Sequence, residues 1–404
     1  MKDVFIYDGL RSPIGRHAGS LSNIRPDDLA AAIIKAVIKR NNIPSDVIED
    51  VVIGNTNQAG EDSRNLGRHA ALLAGLPTTV GGITINRLCG SGLAAIADSA
   101  RIIACDQGEA IIAGGCESMS RAPWVMAKAE TAFSRQQSIE DSTIGARFAN
   151  PVLTSLYGDD TMVQTADNVA ATLNISRERC DSFALASQKK YFEAKQSGHF
   201  NNEIAPVQSK QTSKDQQLKQ VDEDEHPRPT VTIDKLSKLS PINTNGVVTA
   251  GNASGINDGA AILLLGSEKL STYSDMQPRA KIISSAIAGV EPKLMGLGPV
   301  PASQKALQRA GLTMDEMDII EINEAFSAQV LGCLQSLGIA DNDARVNAWG
   351  GAIAVGHPLA ASGARLVLTA LNQLEQKQCR YALVTLCIGV GQGIAMVIER
   401  VAHT

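Results

Sequence analysis

The stretch Ile83-Thr84-Ile85-Asn86-Arg87-Leu88-Cys89-Gly90-Ser91-Gly92-Leu93-Ala94-Ala95-Ile96 begins with a β-branched run and passes through a glycine-rich turn. It reads as a strand over 83–86 and a helix over 91–104, the helix presenting Leu93, Ile96, Ala97 and Ala100 on one face. A strand turning directly into a helix is the repeating unit of α/β proteins. Upstream, strands are expected at 4–7 and 50–54 and helices at 27–40 and 64–74; downstream, a strand is expected at 110–113. Such alternation predicts βαβ units on a mostly parallel sheet.

The order recurs near the C-terminus. Strands are expected at 281–288, 319–322, 345–347, 381–387 and 393–399, with helices at 300–310, 328–337 and 362–376. Asp46-Val47-Ile48-Glu49-Asp50-Val51-Val52-Ile53-Gly54-Asn55 is echoed by Asp315-Glu316-Met317-Asp318-Ile319-Ile320-Glu321-Ile322-Asn323, each a β-rich run ending in asparagine. Two copies of one α/β unit packed together explain both, with a ligand site where the carboxyl ends of strands meet. Residues 1–120, completed by 250–269, form the first half, and 270–404 the second. Residues 121–249 form an inserted loop domain on the surface, with helices at 165–173 and 177–196 and a polar stretch over 201–224. Insertions of this kind often carry binding determinants. The run Asp222-Glu223-Asp224-Glu225 is expected as a solvated turn.

Bulk properties narrow the function. The 404 residues are 44% hydrophobic and 20% charged, and the net charge is −5, so nothing in the overall charge favours nucleic acid or an anionic membrane. No apolar run is long enough to span a bilayer. With a strand beginning at Val4 and no secretory leader before it, the chain is expected in the cytoplasm; its end, Ala402-His403-Thr404, is not a peroxisomal address. The seven cysteines include no C-x-x-C pair, so neither a disulfide framework nor a metal site is indicated. Cys105, Cys180, Cys333 and Cys379 read as packing or plain surface thiols.

Two cysteines stand apart. Cys89 lies between a strand and a helix N-terminus, where the dipole and free N–H groups favour thiolate; Gly90 and Gly92 leave room for an acyl group. Cys387, in Leu386-Cys387-Ile388-Gly389-Val390-Gly391, ends a strand in a turn whose N–H groups suit an oxyanion hole. His357, in Gly356-His357-Pro358-Leu359, has glycines on both sides and a proline suited to open a helix. His17, His69, His199, His226 and His403 sit in more polar settings and read as surface groups. Asn323 occupies a strand end, where its amide can cap a turn or orient a water or imidazole. A nucleophilic thiol, a second thiol and an imidazole together suit covalent catalysis.

These segments together resemble the thiolase family, a likeness that extends over essentially the whole chain. Its marks are Cys89-Gly90-Ser91-Gly92, Asn323-Glu324-Ala325-Phe326, Gly356-His357-Pro358 and Cys387-Ile388-Gly389, with Gly114-Gly115-Cys116-Glu117-Ser118-Met119-Ser120 and the run 249–260. A narrower likeness, to the 3-oxoadipyl-CoA thiolases of aromatic-compound degradation, rests on 57–65, 120–130 and 296–302. The resemblance implies an α/β fold of duplicated βαβαβαββ halves packed as an αβαβα core. It implies an acyltransferase that cleaves 3-oxoadipyl-CoA with CoA to succinyl-CoA and acetyl-CoA; an acetoacetyl-CoA or broader 3-ketoacyl-CoA thiolase is the alternative. By that likeness Cys89 attacks the 3-keto carbon, His357 takes its proton, Asn323 fixes a water and Cys387 protonates the departing enolate. The N–H groups of Cys89 and Gly389 form an oxyanion hole, and Ser254, Met162, Arg228 and Phe326 contact CoA. No permanently bound cofactor is implied, CoA being a substrate, and the assembly implied is a homotetramer.

The sequence departs from the family pattern close to His357. Asn347-Ala348-Trp349-Gly350-Gly351 replaces an Asn-Pro-x-Gly-Gly pattern, Ala360 replaces a customary glycine, and Thr161-Met162 replaces a Met-His pair. A succinyl tail ends in a carboxylate that needs a cation or N–H donors. Arg64, Arg121, Lys128 and Arg135 are the candidates.

Overall fold

Alternation at period two decides which way each strand faces. In Asp50–Gly54, Val52 points into one core while Val51 and Ile53 point into another. The computed structural model describes residues 2–210, 217–273 and 275–402, so part of the polar stretch over 201–224, and His403, lie outside the described residues. The main strands are β1 (Phe5–Arg11), β2 (Asp50–Gly54), β3 (Ile83–Ile85), β4 (Ala110–Ser118), β5 (Asn257–Gly266), β6 (Ala280–Gly289), β7 (Ile319–Ile322), β8 (Tyr381–Ile388) and β9 (Gln392–Arg400). They run in the order β7-β8-β9-β6-β1-β5-β4-β2-β3, with Gly15–Arg16 added beside β5.

The helices that matter for the site are α1 (Pro26–Asn41), α2 (Leu66–Ala74), α3 (Ser91–Ala104), α4 (Met162–Leu173), α5 (Arg177–Gln196), α6 (Pro299–Ala310), α7 (Ser327–Leu337) and α8 (Leu359–Gln376). One core joins Leu93 and Ile96 of α3 and Leu366 and Leu371 of α8 to strand residues of both halves, among them Ile111, Leu263, Val384 and Met396. Both helices are therefore sandwiched between two half-sheets. Helices α1 and α2 cover the outer face of the first half-sheet, and α6 and α7 that of the second. The result is five layers in the order αβαβα.

The halves correspond element by element. Sheet order β1-β5-β4-β2-β3 in the first half is matched by β6-β9-β8-β7 in the second, closed by a single parallel bridge between Ile320 and Val346. Asn55 and Asn323 follow equivalent strands, and each backbone N–H donates to the neighbouring parallel strand, at Ile85 and Thr385. Cys89 and His357 precede equivalent helices, α3 and α8. Duplication thus brings two helix entrances, one bearing a thiol and one an imidazole, to the shared middle layer.

Three sequence expectations are corrected. The sheet is mixed: among the described strands, β2 with β3, β2 with β4 and β7 with β8 pair in parallel and the other strand pairs are antiparallel. Strand β9 returns from β8 through a tight turn with no crossover helix, and β5 pairs antiparallel with both β1 and β4, which forces the opposite sense. The strand expected at 345–347 is reduced to the bridge at Val346, because Asn347 turns the chain away with φ +42°. The acidic run is not a solvated turn throughout. Asp224 is buried, and Arg11 donates to both of its oxygens at 2.6 and 2.9 Å and to Glu203 at 2.6 Å. A fully buried guanidinium needs these carboxylates, since an unpaired one carries a large desolvation cost.

Candidate active site

The turn carrying Cys89 is held by its own side chains. Leu88 takes φ +47°, a conformation unfavourable for a residue with a Cβ. The Ser91 hydroxyl accepts from the Arg87 N–H at 2.8 Å and donates to the Leu88 carbonyl at 2.6 Å, while Asn86 Oδ1 accepts from the Leu88 N–H at 3.0 Å. Cys89 is left half-buried just ahead of α3. Burial pushes its thiol up to about 11, and the N–H groups of Gly389 and of Cys89 itself pull in the opposite direction. Burial thus works against the thiolate expected from the helix terminus, and a thiol pushed up to about 11 is neutral at pH 7. The two N–H groups that act on this sulfur are those the family likeness names for an oxyanion hole.

His357 is buried, 5% exposed. Gly356 has φ +109° and its hydrogen side closes on the Asn257 amide, so a side chain there would collide with Asn257. The His357 N–H donates to Asn257 Oδ1 at 3.0 Å, and Asn257 Nδ2 donates onward to the Gly15 carbonyl at 2.8 Å. The ring nitrogen Nδ1 lies 2.6 Å from Ser362 Oγ, and Nε2 lies 3.4 Å from Asn323 Nδ2. Desolvation, and then the Arg365 charge, push the imidazole down to about 4, so it is neutral at physiological pH. Asn323 Oδ1 is buried without a hydrogen-bond partner.

Cys387 is buried in β8, opposite Gly393. It packs with Met295 and Ala325, and Met162 and Phe326 close over them. Burial holds its thiol well above the usual range, and the nearby Cys89 sulfur adds to the effect. Ala325 and Phe326 lie two and three residues beyond Asn323, so the asparagine loop touches both His357 and the Cys387 cluster. All four residues singled out in the sequence thus belong to one locus.

The residues assigned to CoA by resemblance fall into two groups. Met162 starts α4 and lies near Gly389, and Phe326 bridges to Ala253. Ser254, beside that bridge, donates through N and Oγ to the Ala325 carbonyl at 3.0 and 3.1 Å. Arg228 stands apart: it is exposed, and its N–H donates to Gln188 Oε1 at 2.9 Å. Of the cations considered for a substrate carboxylate, Arg121 is committed to Glu61 through two bonds, while Arg64, Lys128 and Arg135 are exposed.

Residues near His357 that depart from the family pattern are accommodated. Trp349 is buried, stacked on His199 at 4.7 Å and edge-on to Phe200 at 6.0 Å. Ala360 is buried, and its carbonyl oxygen fills the space where Gly92 and Gly115 lack side chains. Its N–H donates to Glu117 Oε2 at 3.2 Å, which also accepts from the Thr56 N–H at 3.1 Å. His226, expected at the surface, is buried against Asn257, and burial pushes it down to about 4. Sequence reasoning gave no role to Asn257, Ser362 or Glu117. A polar residue opening the apolar run 257–266, and a carboxylate ending the small-residue strand 110–118, were the available signals.

Residues 4–269 match the family model described as Thiolase, N-terminal domain, and residues 276–400 match Thiolase, C-terminal domain. The chain is 54% identical to the 3-oxoadipyl-CoA/3-oxo-5,6-dehydrosuberyl-CoA thiolase of Escherichia coli (strain K12), over 99% of this chain and 100% of that protein. It is 55% identical to a beta-ketoadipyl-CoA thiolase of Acinetobacter baylyi, with the same coverage. Among solved structures, human mitochondrial 3-ketoacyl-CoA thiolase in complex with CoA superposes with TM-score 0.91 at 36% identity, covering 99% of this chain and 98% of that one. Duplicated halves, paired thiols and a full-length match agree: this chain belongs to the thiolase family and is an acyltransferase.

Proposed function

We propose that the protein cleaves 3-oxoadipyl-CoA with CoA, giving succinyl-CoA and acetyl-CoA in the breakdown of aromatic compounds. The convergence of Cys89, Cys387, Asn323 and His357 at one locus carries the chemistry. Full-length identity of 54–55% to proteins named for this substrate supports the choice of acyl group.

His357 Nε2 takes the Cys89 proton as sulfur attacks the 3-keto carbon. The C2–C3 bond then breaks, leaving a succinyl group on Cys89 and the enolate of acetyl-CoA, whose carbon takes the Cys387 proton. The Cys387 thiolate next removes the proton of an incoming CoA thiol. CoA sulfur displaces Cys89 from the succinyl group, and the imidazolium returns its proton to Cys89. Negative charge on oxygen is met in one half-reaction by His357 with a water on Asn323, whose Oδ1 is unpartnered, and in the other by the N–H groups of Cys89 and Gly389. Neutral resting groups suit this cycle, because each thiol gives and regains a proton. Ser254, Met162 and Phe326 line the approach of pantetheine, and Arg228 meets the nucleotide.

Residues 1–120 with 250–269, 121–249 and 270–404 are the two halves and the insertion. Free thiols at all seven cysteines fit a reducing cytoplasm, and among the described residues no helix is long and apolar enough to cross a membrane. The insertion exposes Trp124, Met126, Phe133, Val152 and Leu156, an apolar surface that suits contacts between copies in a homotetramer. Light scattering of the purified protein tests that assembly. Steady-state rates on 3-oxoadipyl-CoA, acetoacetyl-CoA and longer neutral 3-oxoacyl-CoAs test the substrate. The highest kcat/KM is expected for 3-oxoadipyl-CoA; a preference for the neutral substrates would overturn the assignment.

A further inference from the structure

In the proposed mechanism His357 acts through Nε2, the nitrogen on the Asn323 side, because Nδ1 faces Ser362. A neutral imidazole carries one proton, and the partner of each nitrogen decides where it sits. The partner of Nδ1 is Ser362 Oγ at 2.6 Å. That hydroxyl also lies 3.0 Å from the Pro358 carbonyl, a group that only accepts. A serine one turn into a helix commonly gives its proton to the carbonyl four residues back, which turns its lone pairs toward Nδ1. Ser362 and His357 are 1% and 5% exposed, so bulk water does not compete for either group. On the far side, Asn323 Nδ2 is a donor, 3.4 Å from Nε2. A proton on Nε2 would set donor against donor there.

The geometry points to Ser362 as a positioning residue: by accepting from Nδ1–H it holds His357 in the tautomer whose Nε2 lone pair is free to take the Cys89 proton. This rests on the reading of His357 as the base. Because burial keeps the ring neutral, the tautomer, not the protonation state, sets how much enzyme is competent at neutral pH. The side-chain hydrogen bonds of Ser362 run to His357 and to the Pro358 carbonyl, so its effect on the reaction passes through the imidazole.

Neutron diffraction from crystals of the perdeuterated full-length enzyme reads the tautomer with no turnover. Deuterium is expected on Nδ1 in the wild type, and on Nε2 or divided between the nitrogens in Ser362→Ala. Kinetically, Ser362→Ala should lower kcat about 10–100-fold with KM little changed, part of the 10²–10⁴-fold a general base contributes. Ser362→Thr, which keeps the hydroxyl, should restore both the wild-type tautomer and most of the rate. Deuterium on Nε2 in the wild type, or Ser362→Ala turning over at the wild-type rate, overturns the inference. The underlying reading fails separately: full activity in His357→Gln would remove the imidazole as base, whatever the tautomer.

Discussion

The backbone N–H of His357 donates to Oδ1 of Asn257 over 3.0 Å, so the first residue of β5, in one half of the molecule, fixes the histidine loop of the other. Asn257→Ala leaves that N–H buried and unpaired. The expected cost is about 1–3 kcal/mol of stability, read as a lower urea midpoint. A drop of about tenfold or more in kcat should accompany it, because loss of exact placement in a catalytic group is costly. Unchanged kcat would show that the loop holds its shape without this bond.

Neutral Cys89 predicts the pH dependence of its alkylation. With the thiol pushed up to about 11, the rate of reaction with iodoacetamide should climb about tenfold per pH unit between pH 7 and 10. A stable thiolate–imidazolium pair would instead give a plateau near neutrality.

Burial of neutral His357 ties stability to acid. Its folded value of about 4 lies below the unfolded 6.5, so its contribution is complete above pH 6.5 and is lost as pH falls toward 4. Between pH 7 and pH 5 the wild type should lose about 2 kcal/mol that His357→Gln does not lose. Denaturant midpoints of the two proteins at both pH values check this. Parallel loss in both would assign the acid sensitivity elsewhere, His226 being a second group shifted the same way.

Local pattern made most of the fold legible. The strands at 50–54 and 319–322 and the helices at 91–104 and 177–196 fall where the sequence pattern puts them, the strands as short β-branched runs buried on both faces and the helices as longer runs with an apolar repeat. Strand direction was not legible: antiparallel β5 and β9 depend on pairings between distant segments that no local period records. The site was legible where chemistry leaves rare residues beside glycines, as at Cys89, His357 and Cys387. Asn257, Ser362 and Glu117 act through a few buried hydrogen bonds, and common polar residues carry no mark of that in a sequence. The place of Cys89 at a helix start is visible in sequence, whereas the burial that pushes its thiol up is not.

Cys387 should be separable from Cys89. Acetyl-CoA in D₂O is expected to exchange its methyl protons when the wild type is present, because the Cys387 thiol exchanges with solvent and passes deuterium to the enolate carbon. Cys387→Ala should slow exchange about 10²-fold or more, measured by proton NMR of the acetyl methyl signal. Exchange at the wild-type rate would assign carbon protonation to another group.

Transfer of the acyl group to Cys89 is tested most directly by the mass of the intact protein after mixing with 3-oxoadipyl-CoA in the absence of free CoA. A succinyl adduct, mapped to the peptide containing Cys89 and discharged when CoA is added, is the outcome expected. A wild-type protein that forms acetyl-CoA without any adduct, or an adduct that survives in Cys89→Ala, would contradict it.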